Sequence, residues 1–195
     1  MGWNAECIEL LDDKTMGAIN TYGQSIRKWP ENDSLFIKFQ GPTDSSILES
    51  IQLAKGIAQR HGATRFEMAK DQKEAEDLWA DRKNAHYAAL ALMPGCKSWP
   101  TDVWYVSTDV TTLAGSEVGL SVPVSKLPEL VSETKQDIEE AGLLGTILGH
   151  VGDGEFTRLF GLSNSTDTVQ EISTRCYCSL RTKICLKQRN SSTGW

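Results

Sequence analysis

Val122 to Gly154 reads VPVSKLPELVSETKQDIEEAGLLGTILGHVGDG, and this stretch decides the fold. It opens on a strand end, Val122-Pro-Val, and offers Ser125 as a helix cap. From Lys126 to Gly142 the spacing of Leu127, Leu130, Val131, Thr134 and Ile138 places one inward face on a helix. Leu143 to Leu148 follows as a short apolar strand, and it delivers Gly149-His-Val-Gly-Asp-Gly154. Strand, helix and strand joined by short links predict a two-layer α+β sandwich.

The same rhythm runs upstream. Glu6 to Leu11 predicts a strand, and Asp12 or Asp13 can cap the helix after it. Ser34 to Phe39 alternates apolar and polar residues, as a half-buried strand does. Gly41-Pro42-Thr43 breaks the chain before a helix over Asp44 to Arg60, with Ile47, Ile51, Leu53, Ile57 and Ala58 at helical spacing. His61-Gly62 closes that helix, a cation near the last carbonyls and then a glycine able to turn left-handed. Thr64 to Met68 predicts a third strand, and Asp71 to Leu92 a long Ala-rich helix. Two stretches break the pattern. Trp104 to Ser121 is a polar interruption after a strand-like entry, and from Glu155 onward the hydrophobic periodicity fades.

Bulk properties bound the function. With 195 residues, 39% hydrophobic and 24% charged, the chain suits one soluble globular domain, or one domain and a tail. No run approaches the roughly 18 apolar residues of a membrane span. Met1 to Asp13 carries acids and no basic region, so no targeting peptide is expected there. A formal charge of -6 argues against nucleic acid, whose phosphates need clustered Lys and Arg. Three of five cysteines, Cys176, Cys178 and Cys185, crowd the tail without a nearby His, a spacing that suits free thiols better than zinc.

Two segments carry candidate chemistry. A His at the carboxyl end of a strand, between glycines, is where a fold presents a ligand to a cleft. Asp153 is then a candidate partner fixing the imidazole tautomer of His150. The plainer alternative is a tight turn with a capping Asp and a surface His. On the long helix, the guanidinium of Arg82 can grip a carboxylate, and His86 one turn later shares its face as a pocket wall. The alternative there is a solvated, charged helix face. His61 fits a helix cap better than a ligand. No phosphate-binding loop, G-x-G-x-x-G or H-E-x-x-H occurs, so no motif for a dinucleotide is present.

Together, Trp79 to Leu92 (WADRKNAHYAALAL), Thr101-Asp-Val103, Val122 to Leu127 (VPVSKL) and Gly149 to Gly154 (GHVGDG) resemble the C-terminal, substrate-side domain of the FAD-linked oxidases, the family of the cytochrome-dependent D-lactate dehydrogenases. The resemblance implies a mostly antiparallel sheet with helices on one face. It implies oxidation of a D-2-hydroxy acid, D-lactate before D-2-hydroxyglutarate or glycolate, by hydride transfer to FAD and onward to cytochrome c. Arg82 would then bind the substrate carboxylate and His150 would ligate a divalent metal, zinc or manganese. A mitochondrial location follows from the same resemblance.

The chain departs from the family pattern where it matters most. The family continues Gly-His-x-Gly-Asp-Gly as Asn-x-His and later carries Glu-His-Gly. Here Glu155 and Thr157 stand at the Asn and His positions, and no Glu-His-Gly follows. One His cannot make a metal site. Residues 1–154 are therefore expected to be a partial substrate domain, interrupted at 104–121, with 155–195 an irregular, disordered tail, the flavin domain missing and the fragment inactive.

Both irregular stretches read as untranslated sequence carried into the chain. Trp104-Tyr105-Val106 can be encoded as TGG TAT GTT, holding the donor GTATGT, with an acceptor in Ser121 as AGT. Gly154-Glu155-Phe156 can be encoded as GGT GAG TTC, holding GTGAGT, with an acceptor in Gln170 as CAG. Glu171 to Ser179 in the shifted frame then gives Asn-Phe-His followed by a strand-like run. A stand-alone module binding a small carboxylate or a protein is the competing function.

Overall fold

The computed structural model describes residues 4–22, 25–92, 97–103, 125, 127–140, 142, 144–152 and 156–162. Strand β1 covers Ala5–Leu11 and is followed by helix α1, Asp13–Tyr22. Asp12 starts that helix: its Oδ1 accepts from the Thr15 backbone N–H at 2.8 Å and from the Thr15 hydroxyl at 2.6 Å. Strand β2, Ser34–Phe39, pairs antiparallel with β1 across a register shift between Ala5 and Cys7.

Helix α2, Asp44–Arg60, carries a reciprocal cap in which the Thr43 hydroxyl accepts from the Ser46 N–H and the Ser46 hydroxyl faces the Thr43 N–H. It ends at His61, and Gly62 takes φ +83°, a left-handed turn that suits glycine. His61 is thus the cap that its position predicts. Helix α3, Gln72–Ala91, is capped by Asp71, whose side chain accepts from Glu74 N at 2.8 Å.

Strand β3 is Lys97–Val103, helix α4 is Leu127–Glu140, and strands β4 and β5 are Leu144–Gly149 and Phe156–Leu162. On α4 the buried residues are Leu127, Leu130, Val131, Thr134 and Ile138, the face that periodicity predicts. The five strands form one sheet in the order β2-β1-β4-β5-β3, and every neighbouring pair is antiparallel. The architecture is α+β. Leu11 and Leu148 meet Met16, Ala18 and Ile19 of α1 and Ala85 and Ala88 of α3 in one apolar cluster. The alanines of α3 let the two helices approach closely, which places the core between α3, α1 and the sheet.

Two segments differ from expectation. Thr64 to Met68 is not a strand: all but Phe66 are exposed and no ladder partner runs beside them among the described residues. An extended, β-prone sequence without a neighbour forms no sheet. Phe156–Leu162 lies where fading periodicity predicts irregular chain, yet it is a strand bonded to β4 on one side and β3 on the other. Backbone ladders recruit a segment regardless of its side-chain alternation. The interruption at 104–121 and residues 163–195 lie outside the described residues. No described helix is long and apolar enough to cross a membrane.

Candidate active site

The antiparallel ladder of β1 and β4 pairs Leu11 with Leu148 and Leu10 with Gly149. One step further, the same register sets Glu9 opposite His150. Side chains two residues apart on a strand share a face, so Glu9 and His150 lie beside Leu11 and Leu148 on the face covered by the helices. The core thus ends in a polar pair. Gly152 ties the turn down: its N–H donates to Ile8 O at 3.2 Å, and a Cβ there would lie 3.4 Å from Ile8 N. The turn and β1 thus lie in van der Waals contact at Gly152.

Glu9 is only 4% exposed. Its Oε2 accepts from Arg82 Nη2 at 2.8 Å, and its Oε1 lies 2.6 Å from His150 Nδ1. Arg82 comes from α3, where neighbouring Asp81 is buried and accepts from Ser25 Oγ at 2.7 Å and Trp29 Nε1 at 2.8 Å. Those bonds fix the helix against the chain leading into β2 and so aim Arg82 at β1. The Arg82 side chain is 11% exposed and that of His150 52%. A buried carboxylate is tolerable only when paired, and Glu9 is paired on both oxygens. Arg82 Nε is buried and finds no partner among the described residues.

Arg82 and His150 therefore meet, on one carboxylate. His86 does not join them. It packs edge-on against Tyr87 with ring centres 5.7 Å apart, and no hydrogen bond links it to Glu9, Arg82 or His150. Asp153 lies outside the described residues, and the partner found at the His150 ring is Glu9. Sequence reading passes over Glu9 because it sits inside an ordinary strand. One signal was available: Cys7, Glu9 and Leu11 share a face of β1, and an acid on an inward face needs a partner.

Among the described residues no group of three His, Cys, Asp or Glu side chains is placed to hold a metal. Glu9 has both oxygens engaged, which leaves His150 Nε2 as the single open donor here among the described residues, fewer than a metal site needs. A hollow of about 520 Å³ lies elsewhere, lined by Ile26, Arg27, Arg65, Glu67, Met68, Lys70 and Glu74. Its charges are spent on one another, with Arg27 bonded to Glu74 at 2.7 Å and to Glu67 at 3.3 Å. Those walls do not fit the apolar lining a flavin ring asks for.

The model of the family described as FAD linked oxidases, C-terminal domain, matches residues 2–180. The chain is similar to the probable mitochondrial D-lactate dehydrogenase of Danio rerio, 36% identical over 166 residues, which cover 85% of this chain and 29% of that protein. It is 32% identical over 160 residues to the mitochondrial D-lactate dehydrogenase (cytochrome) of Kluyveromyces lactis, covering 80% of this chain and 25% of the relative. The corresponding protein 1 of Saccharomyces cerevisiae is 31% identical over 160 residues, 80% of this chain and 24% of the relative. The chain spans less than a third of the length of these curated relatives.

Proposed function

Because this chain belongs to the FAD linked oxidases, C-terminal domain family, we propose that it forms the substrate side of a flavin-dependent D-2-hydroxyacid dehydrogenase acting on D-lactate. The names of the relatives support D-lactate as substrate and the mitochondrion as location, and two of them support a cytochrome as electron acceptor, which we take to be cytochrome c. The observation that carries the reading is the convergence of Arg82 and His150 on Glu9. Arg82 binds the substrate carboxylate through its remaining donors, a permanent planar cation matched to a carboxylate. His150, half exposed beside it, faces the hydroxyl on the adjacent carbon. FAD, when bound, accepts the hydride. The described residues hold neither a flavin cradle nor a full set of metal ligands, and the chain alone is expected to leave D-lactate unoxidised.

Binding tests this directly. D-lactate titrated into 15N-labelled chain should shift the Arg82 guanidinium and His150 ring signals, bind more tightly than L-lactate, and lose that preference in Arg82→Met. Shifts elsewhere, or equal response to any small carboxylate, favour the module that binds carboxylates without catalysis. Sequencing the transcript tests the interruptions at 104–121 and after Gly154: continuous coding DNA lacking donor and acceptor sites at both junctions ends the reading of untranslated sequence.

A further inference from the structure

We infer that Glu9 is the positioning residue of this site: one buried carboxylate sets the spacing of Arg82 and His150 and holds the imidazole in the tautomer protonated at Nδ1. The inference rests on reading Arg82 and His150 as the substrate-facing pair. A carboxylate has acceptors only, and a guanidinium donors only, so the polarity of the Arg82–Glu9 bond is fixed. The other oxygen, Oε1, stands 2.6 Å from Nδ1 of His150. Two lone pairs at that separation repel, so Nδ1 must carry the proton.

In the neutral ring this leaves Nε2 with its lone pair on the edge away from Glu9. The His150 side chain is 52% exposed while that of Glu9 is 5% exposed, so the open edge of the site presents an acceptor and the closed edge is sealed by the carboxylate. A 2-hydroxy acid carries its carboxylate and hydroxyl on adjacent carbons. A cation and an acceptor spaced by the two oxygens of a single carboxylate match that short separation. The fixed backbone beneath supports the arrangement, since the Gly152–Ile8 hydrogen bond and the β1–β4 register leave His150 little freedom to turn away.

The test is the 15N signature of the His150 ring. In the unmodified chain with the imidazole neutral, Nδ1 should be the protonated nitrogen and Nε2 the bare one; a proton on Nε2 overturns the inference without any variant. Glu9→Gln should reverse the pattern. Its amide oxygen must face Arg82, its NH2 then points at Nδ1, and the ring proton moves to Nε2. An unchanged pattern in a folded Glu9→Gln chain overturns the inference. Should that variant fail to fold, the ring signature of the unmodified chain decides alone. D-lactate binding should weaken about tenfold or more in Glu9→Gln, the loss of one good hydrogen bond. The two readings separate cleanly. The expected tautomer and reversal with no response to D-lactate uphold Glu9 and sink the substrate; D-lactate binding at His150 with the opposite tautomer does the reverse.

Discussion

Glu9 concentrates the energetics of this molecule at the scale of one residue. A carboxylate 4% exposed survives because two partners hold it, and removing Arg82, the permanent cation, leaves the buried charge with only the His150 imidazole on one oxygen. Arg82→Met is therefore expected to cost about 3–5 kcal/mol of unfolding free energy, read from denaturant curves. Glu9→Leu with Arg82→Met should cost clearly less than the sum of the two single changes, because the double variant strands no charge. Additive losses in that cycle would show that the pair does not interact as described.

The cap region offers a second residue-scale test. Partial burial alone would raise the Asp13 carboxyl, but the Lys135 ammonium at 2.6 Å outweighs it and holds the group below its ordinary range, while Lys135 is itself pushed up by Asp13 and Asp33. A carboxyl lowered on folding contributes stability above its ordinary value of 3.8, and loses it as pH falls through the lower folded value. Asp12 runs the other way: burial raises it despite its bonds to Thr15, so its share of stability declines as pH rises through the interval above the ordinary value. Denaturation midpoints of the parent chain and Lys135→Met should therefore differ most near neutrality and converge in acid. A constant gap across that range would remove Lys135 from the acid limb.

At the scale of elements, the turn after β4 matters more than its sequence length suggests. Gly152 packs against Ile8, next to Glu9: a Cβ there would already be in contact at 3.4 Å, so the branches of a bulky side chain would press the turn off β1. Gly152→Val is expected to destabilise by about 1–3 kcal/mol and to move His150 away from Glu9, seen as loss of the Nδ1 proton signal at the ring. Unchanged stability would mean the turn is free to shift. Periodicity foretold α2, α4 and β2 well because each has an unambiguous repeat and clear end signals, such as Thr43 before α2 and Gly62 after it. It misjudged Thr64 to Met68 because β propensity expresses packing within a sheet, and no ladder partner lies beside the segment among the described residues.

Across the whole molecule, stability is unevenly spread. Leu11, Met16 and Ile147 are fully buried, whereas α2 buries only Ala54 and leaves Leu48 at 48% and Leu53 at 42% exposure. Amide hydrogens in α1 and β4 are expected to exchange by global unfolding, and those of α2 faster, through local opening. Equal protection in both would contradict this distribution.

By itself the sequence determined what is local: the helical and strand periods, a cap at Asp12 or Asp13, the left-handed Gly62, and the glycine turn that presents His150. It also singled out Arg82 and His150 through motif. Only the tertiary structure decided that these two share a carboxylate from β1, a residue 73 positions from Arg82 and 141 from His150. Backbone preference is set within a few residues, but which strand lies beside which, and which acid lands opposite which imidazole, follows from burying Leu11 and Leu148 together, and no local pattern records that.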